Sequence, residues 1–273
     1  MKYKIGEYSK MLGVTADTLR HYEKLGIIKP LKEDNSSYRL FGDLDCRNIL
    51  RSRWFRSFDI PLNETIELTN EGSLEKVAEV FTKTSKDLAL EIERLNGLLE
   101  KSNETLDICE KLHRNLHKCE LDDFEGMYRI CQTKENVLIK DSKTAKTVKQ
   151  WMNLLPFTFF SFSLTGYKPT THDHFDFDFG LAISIPDIHK LKIKLPSNIQ
   201  CIQASKAVYM YVKLLEGEFI SNATLDSMHD FASSKGYTFN GNVYGRILFS
   251  EKNENALYNY NEIIMPVNLT NDI

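Results

Sequence analysis

Hydroxyl, guanidinium and imidazole groups are concentrated around residue 20, where they could hold phosphate groups or contact the edges of bases. Arg20 carries a planar fork of donors that fits a phosphate or a guanine edge. Thr15 and Thr18 stand near the start of a predicted helix, the end that enters the major groove in helix-turn-helix proteins. A second group lies on a predicted hairpin. The candidate DNA-contacting residues are Thr15, Thr18, Arg20, His21, Tyr22, Tyr38 and Arg39.

Aromatic side chains are frequent in the second half of the chain, where they could line a pocket for a small molecule. Each aromatic face stabilises a bound cation by roughly 0.5–2 kcal/mol. The same residue types also build ordinary cores, so the sequence leaves both interpretations open. The candidate ligand-binding residues of this kind are Trp151, Phe160, Phe162, Tyr209, Tyr211, Tyr244, Tyr258 and Tyr260.

Metal binding and catalysis are less well supported by the residue pattern. One stretch is rich in acidic residues and histidine: His172, Asp173, His174, Asp176 and Asp178. A polar loop that leads into a strand explains this stretch more simply than a metal site does. The five cysteines lack CxxC spacing, which is typical of free thiols in a reducing compartment. No GxSxG, HExxH or phosphate-binding glycine loop is present. We therefore predict no metal, no cofactor and no catalytic residue.

The residues of the first group lie on short helices joined by glycines. Apolar residues at helical spacing predict a helix over 5–12, and Gly13 suits a left-handed helix end. A second helix is predicted to begin after Thr15, as its N-cap, and to end at Gly26. Two short helices joined by about three residues at a glycine are typical of a helix-turn-helix.

A small hairpin, the wing of a winged helix-turn-helix, is predicted over 27–41. Pro30 disfavours helix before it, and a turn cluster spans 33–37. A third helix follows over 43–58 and a fourth begins at Pro61. The third helix is predicted to bury one face made of Cys46, Ile49, Leu50, Trp54 and Phe58.

A single long helix is predicted over 73–118, with Ser73 as its N-cap. Apolar residues recur at steps of three and four from Leu74 to Leu116. A stripe this long cannot be buried by the helix alone, so it predicts a coiled coil across a homodimer.

The remaining residues predict strands rich in aromatic and β-branched side chains, interrupted by two helices over 143–155 and 221–235. The predicted strands are 127–139, 157–165, 175–185, 199–213, 242–249 and 258–267. The order strand-helix-strand-strand occurs twice, which indicates two similar halves with a pocket between them. The fold class is therefore α + β multidomain, with a duplicated βαββ domain at the C-terminal end.

The N-terminal residues resemble the DNA-binding domain of the MerR family almost continuously over residues 1–70. The matching string is Arg20-His21-Tyr22-Glu23, Gly26, Lys29-Pro30 and Tyr38-Arg39-Leu40-Phe41, with His21 where many members carry tyrosine. The resemblance implies a dimer that binds palindromic promoter DNA across an unusually long spacer. It also implies that the dimer bends and untwists this spacer so that RNA polymerase engages both promoter boxes.

The C-terminal half resembles the GyrI-like (BmrR-type) effector-binding domain of multidrug-sensing MerR members, in its duplicated order and in the ending Glu262-Ile263-Ile264-Met265-Pro266-Val267. The resemblance implies an aromatic pocket in which a buried glutamate binds lipophilic cations. By a gap-free count from Pro266, Arg246 falls on the glutamate position and joins the candidate ligand-binding residues. Two explanations stay open: the ligand is neutral or anionic, or the acid is one of Glu216, Glu218, Asp176 and Asp178.

Bulk composition agrees with a globular protein, at 42% hydrophobic and 27% charged residues. No run approaches the ~20 apolar residues of a membrane helix, and the N-terminus has no apolar core of a signal peptide. We therefore expect a cytoplasmic protein without a membrane partner.

Residues 1–60 carry twelve Lys+Arg against eight Asp+Glu, whereas the remainder carries 23 against 30. A basic head on an acidic body fits one phosphate-binding end.

These observations together predict three domains: a winged helix-turn-helix over 1–72, a coiled-coil dimerisation helix over 73–119 and an effector-binding domain over 120–273. The predicted function is a non-enzymatic, ligand-responsive transcription regulator, an activator, that senses a small lipophilic, aromatic molecule of the multidrug type. Its expected partners are promoter DNA, RNA polymerase, the effector and a second copy. Two alternatives stay open: a metal- or redox-responsive regulator using Cys109 and Cys119, and hydrolase activity in the GyrI-like domain.

Overall fold

The computed structural model describes residues 2–32, 38–134, 137–169, 175–196, 199–253 and 256–270. The chain forms two compact units, Met1–Gly97 and Leu98–Ile273, and their boundary falls inside one long helix. The predicted turn at 33–37 and residues His172 to His174 of the acidic stretch lie outside the described residues. Among the helices described, none is long and apolar enough to cross a membrane.

The first unit combines short helices with a three-stranded antiparallel sheet of order β1-β3-β2. Its helices are α1 (Ile5–Leu12), α2 (Ala16–Lys24), α3 (Asp43–Arg56), α4 (Leu62–Glu71) and the first part of α5 (Leu74–Asn115). Its strands are β1 (Tyr3–Lys4), β2 (Leu31–Lys32) and β3 (Arg39–Phe41). Strands β2 and β3 form the predicted wing. Strand β1 was not predicted, because two residues are too short for a recognisable period.

The joints of the helix-turn-helix follow their local chemistry. Gly13 ends helix α1 in the left-handed region at φ 63°, and Gly26 follows helix α2 at φ 73°. The Thr15 hydroxyl accepts the backbone N–H of Thr18 at 3.1 Å, which caps helix α2. The predictions for these three joints are confirmed.

Helix α3 buries only part of the predicted face: Ile49 is buried, and Cys46 and Phe58 pack against cores. Leu50 and Trp54 are 58% and 52% exposed, so their assignment to the buried face was wrong. Asp45 is buried instead, because its carboxylate accepts the backbone N–H groups of Lys29 and Gly42 at 3.1 and 3.0 Å. Hydrophobic periodicity could not find this face, since an acidic residue with backbone partners occupies part of it.

Helix α5 is 42 residues long and begins where it was predicted to begin. The Ser73 hydroxyl accepts the backbone N–H of Lys76 at 3.2 Å, which confirms this residue as the cap. Part of the apolar stripe is exposed along the helix, at Leu88, Ile92, Leu95, Leu99 and Leu106.

The second unit is built on one nine-stranded sheet of order β10-β5-β9-β8-β13-β14-β11-β4, with β12 paired to β14 and a separate β6-β7 hairpin. Its strands are β4 (Cys119–Phe124), β5 (Met127–Cys131), β6 (Thr133–Lys134), β7 (Val137–Leu138), β8 (Thr158–Thr165), β9 (Asp176–Ser184), β10 (Gln200–Ile202), β11 (Ser205–Leu215), β12 (Tyr237–Phe239), β13 (Val243–Asn253) and β14 (Ala256–Leu269). Its own helices are α6 (Ser142–Met152), α7 (Ile185–Leu191) and α8 (Asn222–Ser234).

The predicted duplication is present in the order of the elements. The sets β5-α6-β8-β9 and β11-α8-β13-β14 repeat one pattern, and their strands are arranged as β5-β9-β8 and β13-β14-β11. The two halves meet where β8 pairs antiparallel with β13, so the strand order of one half runs in the opposite direction to that of the other across the sheet. Strand β4 was missed because it is an edge strand of mixed polarity, without the alternation of a half-buried strand.

The two faces of the sheet have different roles, because side chains alternate along each strand. In β11, Val208, Met210 and Val212 are buried in the core that contains α8 residues. Tyr209 and Tyr211 therefore project from the opposite face of the sheet. This second face carries the cavity described below.

Candidate nucleic-acid interface and ligand cavity

Arg20 and His21 are exposed on helix α2 of the first unit. The Arg20 guanidinium pairs with Asp17 at 2.5 Å, and 57% of the Arg20 side chain is exposed. An exposed ion pair of this kind is worth only about 0–1 kcal/mol, so Arg20 can exchange its partner for a phosphate.

The remaining helix α2 candidates have structural roles as well. The hydroxyls of Thr15 and Thr18 lie 2.8 Å apart at the helix start. Tyr22 is half-buried against the core of the first unit. Thr15 is exposed at the helix N-terminus, where backbone N–H groups and the helix dipole favour a phosphate.

The wing residues are held by contacts that sequence reasoning missed. Arg39 Nε donates to Glu23 Oε2 of helix α2 at 2.6 Å, which ties strand β3 to that helix. Lys4 Nζ lies 5.0 Å from the centre of the Tyr38 ring. The Asp17–Arg20 pair could have been found from its i,i+3 spacing. The Glu23–Arg39 pair spans sixteen residues and depends on tertiary structure.

The second unit contains a cavity of about 530 Å³ on the sheet face opposite helix α8. One wall comes from helix α5, at Lys101, Glu104, Thr105 and Ile108. The apolar lining comes mainly from Phe124, Met127, Phe157, Phe159, Tyr209, Ile247, Phe249 and Ile264. A neighbouring cavity of about 250 Å³ shares Glu104, Ile108, Tyr209, Arg246 and Glu262 with it.

A row of three polar side chains crosses the sheet where the two cavities meet. Arg246 on β13 and Tyr211 on β11 both pair in register with Glu262 on β14, so all three project from one face. Arg246 Nε donates to Glu262 Oε2 at 2.5 Å, and its Nη2 donates to Oε1 at 3.3 Å. The Tyr211 hydroxyl donates to the same Oε1 at 2.9 Å. Glu262 thus accepts three hydrogen bonds, with 5% of its side chain exposed.

The charge states of these three side chains depend on their burial and on the charges of their neighbours in the row. Burial is the largest single influence and acts to lower the pKa of Arg246, but the charge and hydrogen bonds of Glu262, with smaller contributions from Tyr211 and Glu104, together raise it. Burial raises the pKa of Tyr211, and the charge of Glu262 raises it further. The tyrosine therefore stays protonated and remains a donor.

The helix α5 wall is fixed by a second ion pair. Lys101 Nζ lies 2.8 Å from Asp187 Oδ2 and 2.9 Å from Glu104 Oε2, and 17% of its side chain is exposed. Burial acts to lower the pKa of Lys101, but the hydrogen bond to Asp187 leads the opposing contributions and the pKa is raised. Asp187 is itself buried, so this contact holds the helix firmly to the second unit.

Comparison with known proteins decides the family of the chain. A family model described as MerR family regulatory protein matches residues 4–41. Over 103 residues the chain is 31% identical to the HTH-type transcriptional regulator ZntR homolog of Haemophilus influenzae, covering 36% of this chain and 76% of the relative. The chain belongs to the MerR family of regulatory proteins. The predicted family is thereby confirmed, and the helix-turn-helix of the first unit is the MerR-type domain.

A further relative and a solved structure match different portions of the chain. The HTH-type transcriptional activator TipA of Streptomyces coelicolor is 26% identical over 80 residues, so the match spans 29% of this chain and only about a third of TipA. Among solved structures, the EcmrR–DNA complex covers 98% of this chain at 19% identity and a TM-score of 0.34. TipA is named as a transcriptional activator and the Haemophilus relative as a transcriptional regulator.

Three of the nine predicted ligand-binding residues of the MerR-family chain line the cavities: Tyr209 and Arg246 line both, and Tyr211 lines the smaller one. The other six line neither. Phe160 and Phe162 alternate with the cavity-lining Phe159, so they project from the opposite face of β8.

The remaining four predicted ligand-binding residues pack in cores or make other polar contacts and do not line either cavity. Trp151 is 1% exposed in the core beneath helix α6, and Tyr244 is buried in a cluster on the cavity face. Tyr258 and Tyr260 flank Lys213, whose Nζ lies 4.6 and 5.2 Å from their ring centres. These contacts explain why an aromatic-rich sequence places so few of its rings around the cavity.

Glu262 is the acid that sequence reasoning missed. None of the four proposed acids lines either cavity, and Asp178 pairs instead with the buried Arg129. Glu262 begins the apolar run Ile263–Val267 that carried the resemblance, yet it received no role. A single acidic residue beside an apolar run indicates a buried carboxylate. Such a carboxylate needs a specific partner, so it is a candidate site residue.

The two cysteines of the metal alternative lie at the end of helix α5. Cys109 is on this helix and Cys119 is the first residue of β4, where its Sγ lies 3.9 Å from the Ser227 carbonyl oxygen. Burial raises the pKa of the Cys119 thiol, which opposes the thiolate form that binds metal. Within the described ranges, no three His, Cys, Asp or Glu residues are grouped as a metal site would require.

Proposed function

We propose that this MerR-family chain is a ligand-responsive transcription activator that binds palindromic promoter DNA as a homodimer. The observation that carries the proposal is the wall of the second unit's cavity. Residues Lys101 to Ile108 of that wall belong to helix α5, and the same helix extends back to Leu74 in the DNA-binding unit. A molecule in the cavity would therefore touch the element that connects both units.

DNA binding by the first unit is supported by its family and by its exposed donors. Arg20 and His21 are exposed on helix α2, and Arg39 is exposed on the wing. In helix-turn-helix proteins the second helix enters the major groove, and a wing reaches the flanking backbone. The proposed contact set also contains Thr15, Thr18, Tyr22 and Tyr38.

Dimer formation is supported by the exposed stripe on helix α5. Leu88, Ile92, Leu95 and Leu99 follow steps of four, three and four, which is the heptad spacing of a coiled coil. Their exposure in one chain fits burial against a second copy. A dimer would set the distance between two DNA-binding units and so match two half-sites.

Effector binding by the second unit is supported by its duplicated strand order, on which its resemblance to a GyrI-like domain rests, and by the cavity. A volume of about 530 Å³ is within the range of about 300–1,000 Å³ typical of small-molecule sites. The activator would distort the promoter spacer for RNA polymerase, and an effector with different affinity for two helix α5 positions would shift their populations.

A selection experiment tests this function with the full chain. Random duplex DNA is incubated with the protein, and bound sequences are recovered and amplified. We expect inverted repeats whose half-sites have a fixed spacing, because a rigid dimer reads two sites at one separation. Recovery of single, unpaired half-sites would contradict the dimeric mode. No enrichment of any sequence would contradict the proposed function.

A further inference from the structure

The charge inside the cavity is already compensated by the protein itself. Glu262 accepts from two nitrogens of Arg246 and from the Tyr211 hydroxyl, so its carboxylate has no charge left uncompensated. A cation entering the cavity would meet the Arg246 guanidinium beside this acid. A bare buried carboxylate attracts cations strongly, whereas a close ion pair has little net charge to offer.

Arg246 keeps donors for a further partner. A guanidinium has five N–H groups. Within the described residues, the hydrogen bonds of Arg246 all go to Glu262, through Nε and Nη2. The guanidinium carbon lies 5.6 Å from the centre of the Phe159 ring, and both residues line the larger cavity. A ligand oxygen could therefore accept from Arg246 while its ring packs on aromatic walls.

The rim carries an excess of acid, although part of its charge is paired. Lys101 is paired with Asp187 and Glu104, and Asp123 is paired with Lys206 at 2.6 Å. Glu125 adds another carboxylate to the lining of the larger cavity. An anion would thus approach past acidic side chains to reach an arginine that is already neutralised. The acidic rim therefore disfavours an anion, while the Arg246–Glu262 pair inside the cavity offers a cation no bare carboxylate.

We propose that the cavity binds an uncharged, planar aromatic compound whose carbonyl or hydroxyl oxygen accepts a hydrogen bond from Arg246. This inference rests on the proposed effector-binding function and names its ligand class. The aromatic rings of Phe157, Phe159 and Phe249 line the cavity and provide apolar surface against which a ligand can be buried. Arg246 provides a directed polar contact, and its pairing with Glu262 removes the bare carboxylate that would attract a lipophilic cation.

The test measures binding of three tricyclic probes of matched size to the full chain by isothermal titration calorimetry. Xanthone is neutral with a carbonyl oxygen, N-methylacridinium is a cation and anthracene-2-carboxylate is an anion. We expect xanthone to bind about tenfold tighter or better than either charged probe, a difference of about 1.4 kcal/mol.

Removal of Arg246 from the ion pair should change the ligand preference of the cavity from the neutral probe to the cation. Arg246→Met leaves the Glu262 carboxylate uncompensated, so the affinity for N-methylacridinium should rise about tenfold and that for xanthone should fall. In Arg246→Met/Glu262→Gln the gain for the cation should disappear. If Arg246→Met does not fold, Glu262→Gln alone serves, because it frees Arg246 and should favour anthracene-2-carboxylate.

A control variant removes a lysine that does not line the cavity. Lys213 pairs with Glu251 near the rings of Tyr258 and Tyr260, and Lys213→Met should leave all three affinities unchanged. Equal binding of cation and xanthone by the unaltered protein overturns the ligand class while leaving a binding cavity. Failure of every probe to bind any variant, in protein that still selects DNA, overturns the effector-binding function as well.

Discussion

Arg20 and Arg39 are positive side chains of the proposed DNA face, and in the free protein each is paired with an acid. Asp17 holds Arg20 and Glu23 holds Arg39, at 2.5 and 2.6 Å. Both arginines are more than 40% exposed, so these pairs are screened by solvent and contribute little stability. They keep the donors ordered for DNA at a small cost when the partners are exchanged.

Replacement of Arg20 should weaken DNA binding without unfolding the protein. Arg20→Ala is expected to reduce affinity for the selected inverted repeat by about 1–3 kcal/mol, because a forked contact to a base or phosphate is lost. Fluorescence anisotropy with labelled duplex measures the change. Lys149→Ala, which removes an exposed lysine from helix α6 of the second unit, is the control and should have little effect. Unchanged affinity in Arg20→Ala would contradict the assignment of helix α2.

The Tyr211 hydroxyl should contribute to the stability of the second unit. Tyr211→Phe removes a donor from the buried carboxylate of Glu262, and we expect the free energy of unfolding to fall by about 1–3 kcal/mol. Urea denaturation followed by fluorescence measures it. Tyr209→Phe is the matched control, since its hydroxyl makes only a long 3.4 Å contact to the Asp123 carbonyl oxygen. An equal loss in both variants would show that the contact to Glu262 has no special value.

At the scale of elements, helix α5 is well determined by local signals. Ser73 caps it, no proline interrupts it, and its apolar residues follow a heptad-like spacing. Helix α3 shows the opposite case, since its buried face includes Asp45 and excludes Trp54. Asp45 accepts from Gly42 at the N-cap of its own helix and from Lys29, and the helix's own sequence does not contain the contact to Lys29.

Charge placed on the helix α5 stripe should separate the dimer. Ile92→Glu/Leu95→Glu puts two carboxylates at the proposed coiled-coil seam, where they would lose hydration without a partner. Sedimentation velocity of the full chain should show a shift from dimer to monomer. Leu90→Glu is the control, because Leu90 is 64% exposed and lies outside the heptad positions. A monomer in the unaltered protein, or a dimer in the double variant, would contradict this interface.

At the scale of the whole molecule, helix α5 is the covalent connection between the two compact units. The boundary between the units falls after Gly97, inside the helix. Leu98 already packs against the core of the second unit, and Lys101 is anchored to Asp187. Communication between cavity and DNA-binding unit should therefore depend on an unbroken helix near residue 97.

A proline just before this boundary should uncouple the two functions. Asn96→Pro removes a helical N–H and clashes with the preceding turn, at a cost of about 3 kcal/mol or more to the local helix. We expect xanthone binding to persist while xanthone-dependent transcription from a promoter with the selected site is lost. Asn96→Ala, at the same exposed position, should respond like the unaltered protein. A full response in Asn96→Pro would show that the signal does not pass along the helix.

The sequence by itself determined the features that depend on a few neighbouring residues. Helix ends at Gly13 and Gly26, the caps at Thr15 and Ser73 and the repeated strand-helix-strand-strand order all follow from local propensity and periodicity. The specific string around Arg20 also identified the MerR family, which the 31% identical relative then confirmed.

Only the tertiary structure decided which side chains form the cavity and what charge it carries. Arg246 and Tyr211 lie sixteen and 51 residues from Glu262, and strand register alone brings them into one row. Alternation along β8 places Phe159 at the cavity and Phe160 on the other face. Since a shift of one residue in register exchanges the two faces, a list of aromatic residues could not predict this site.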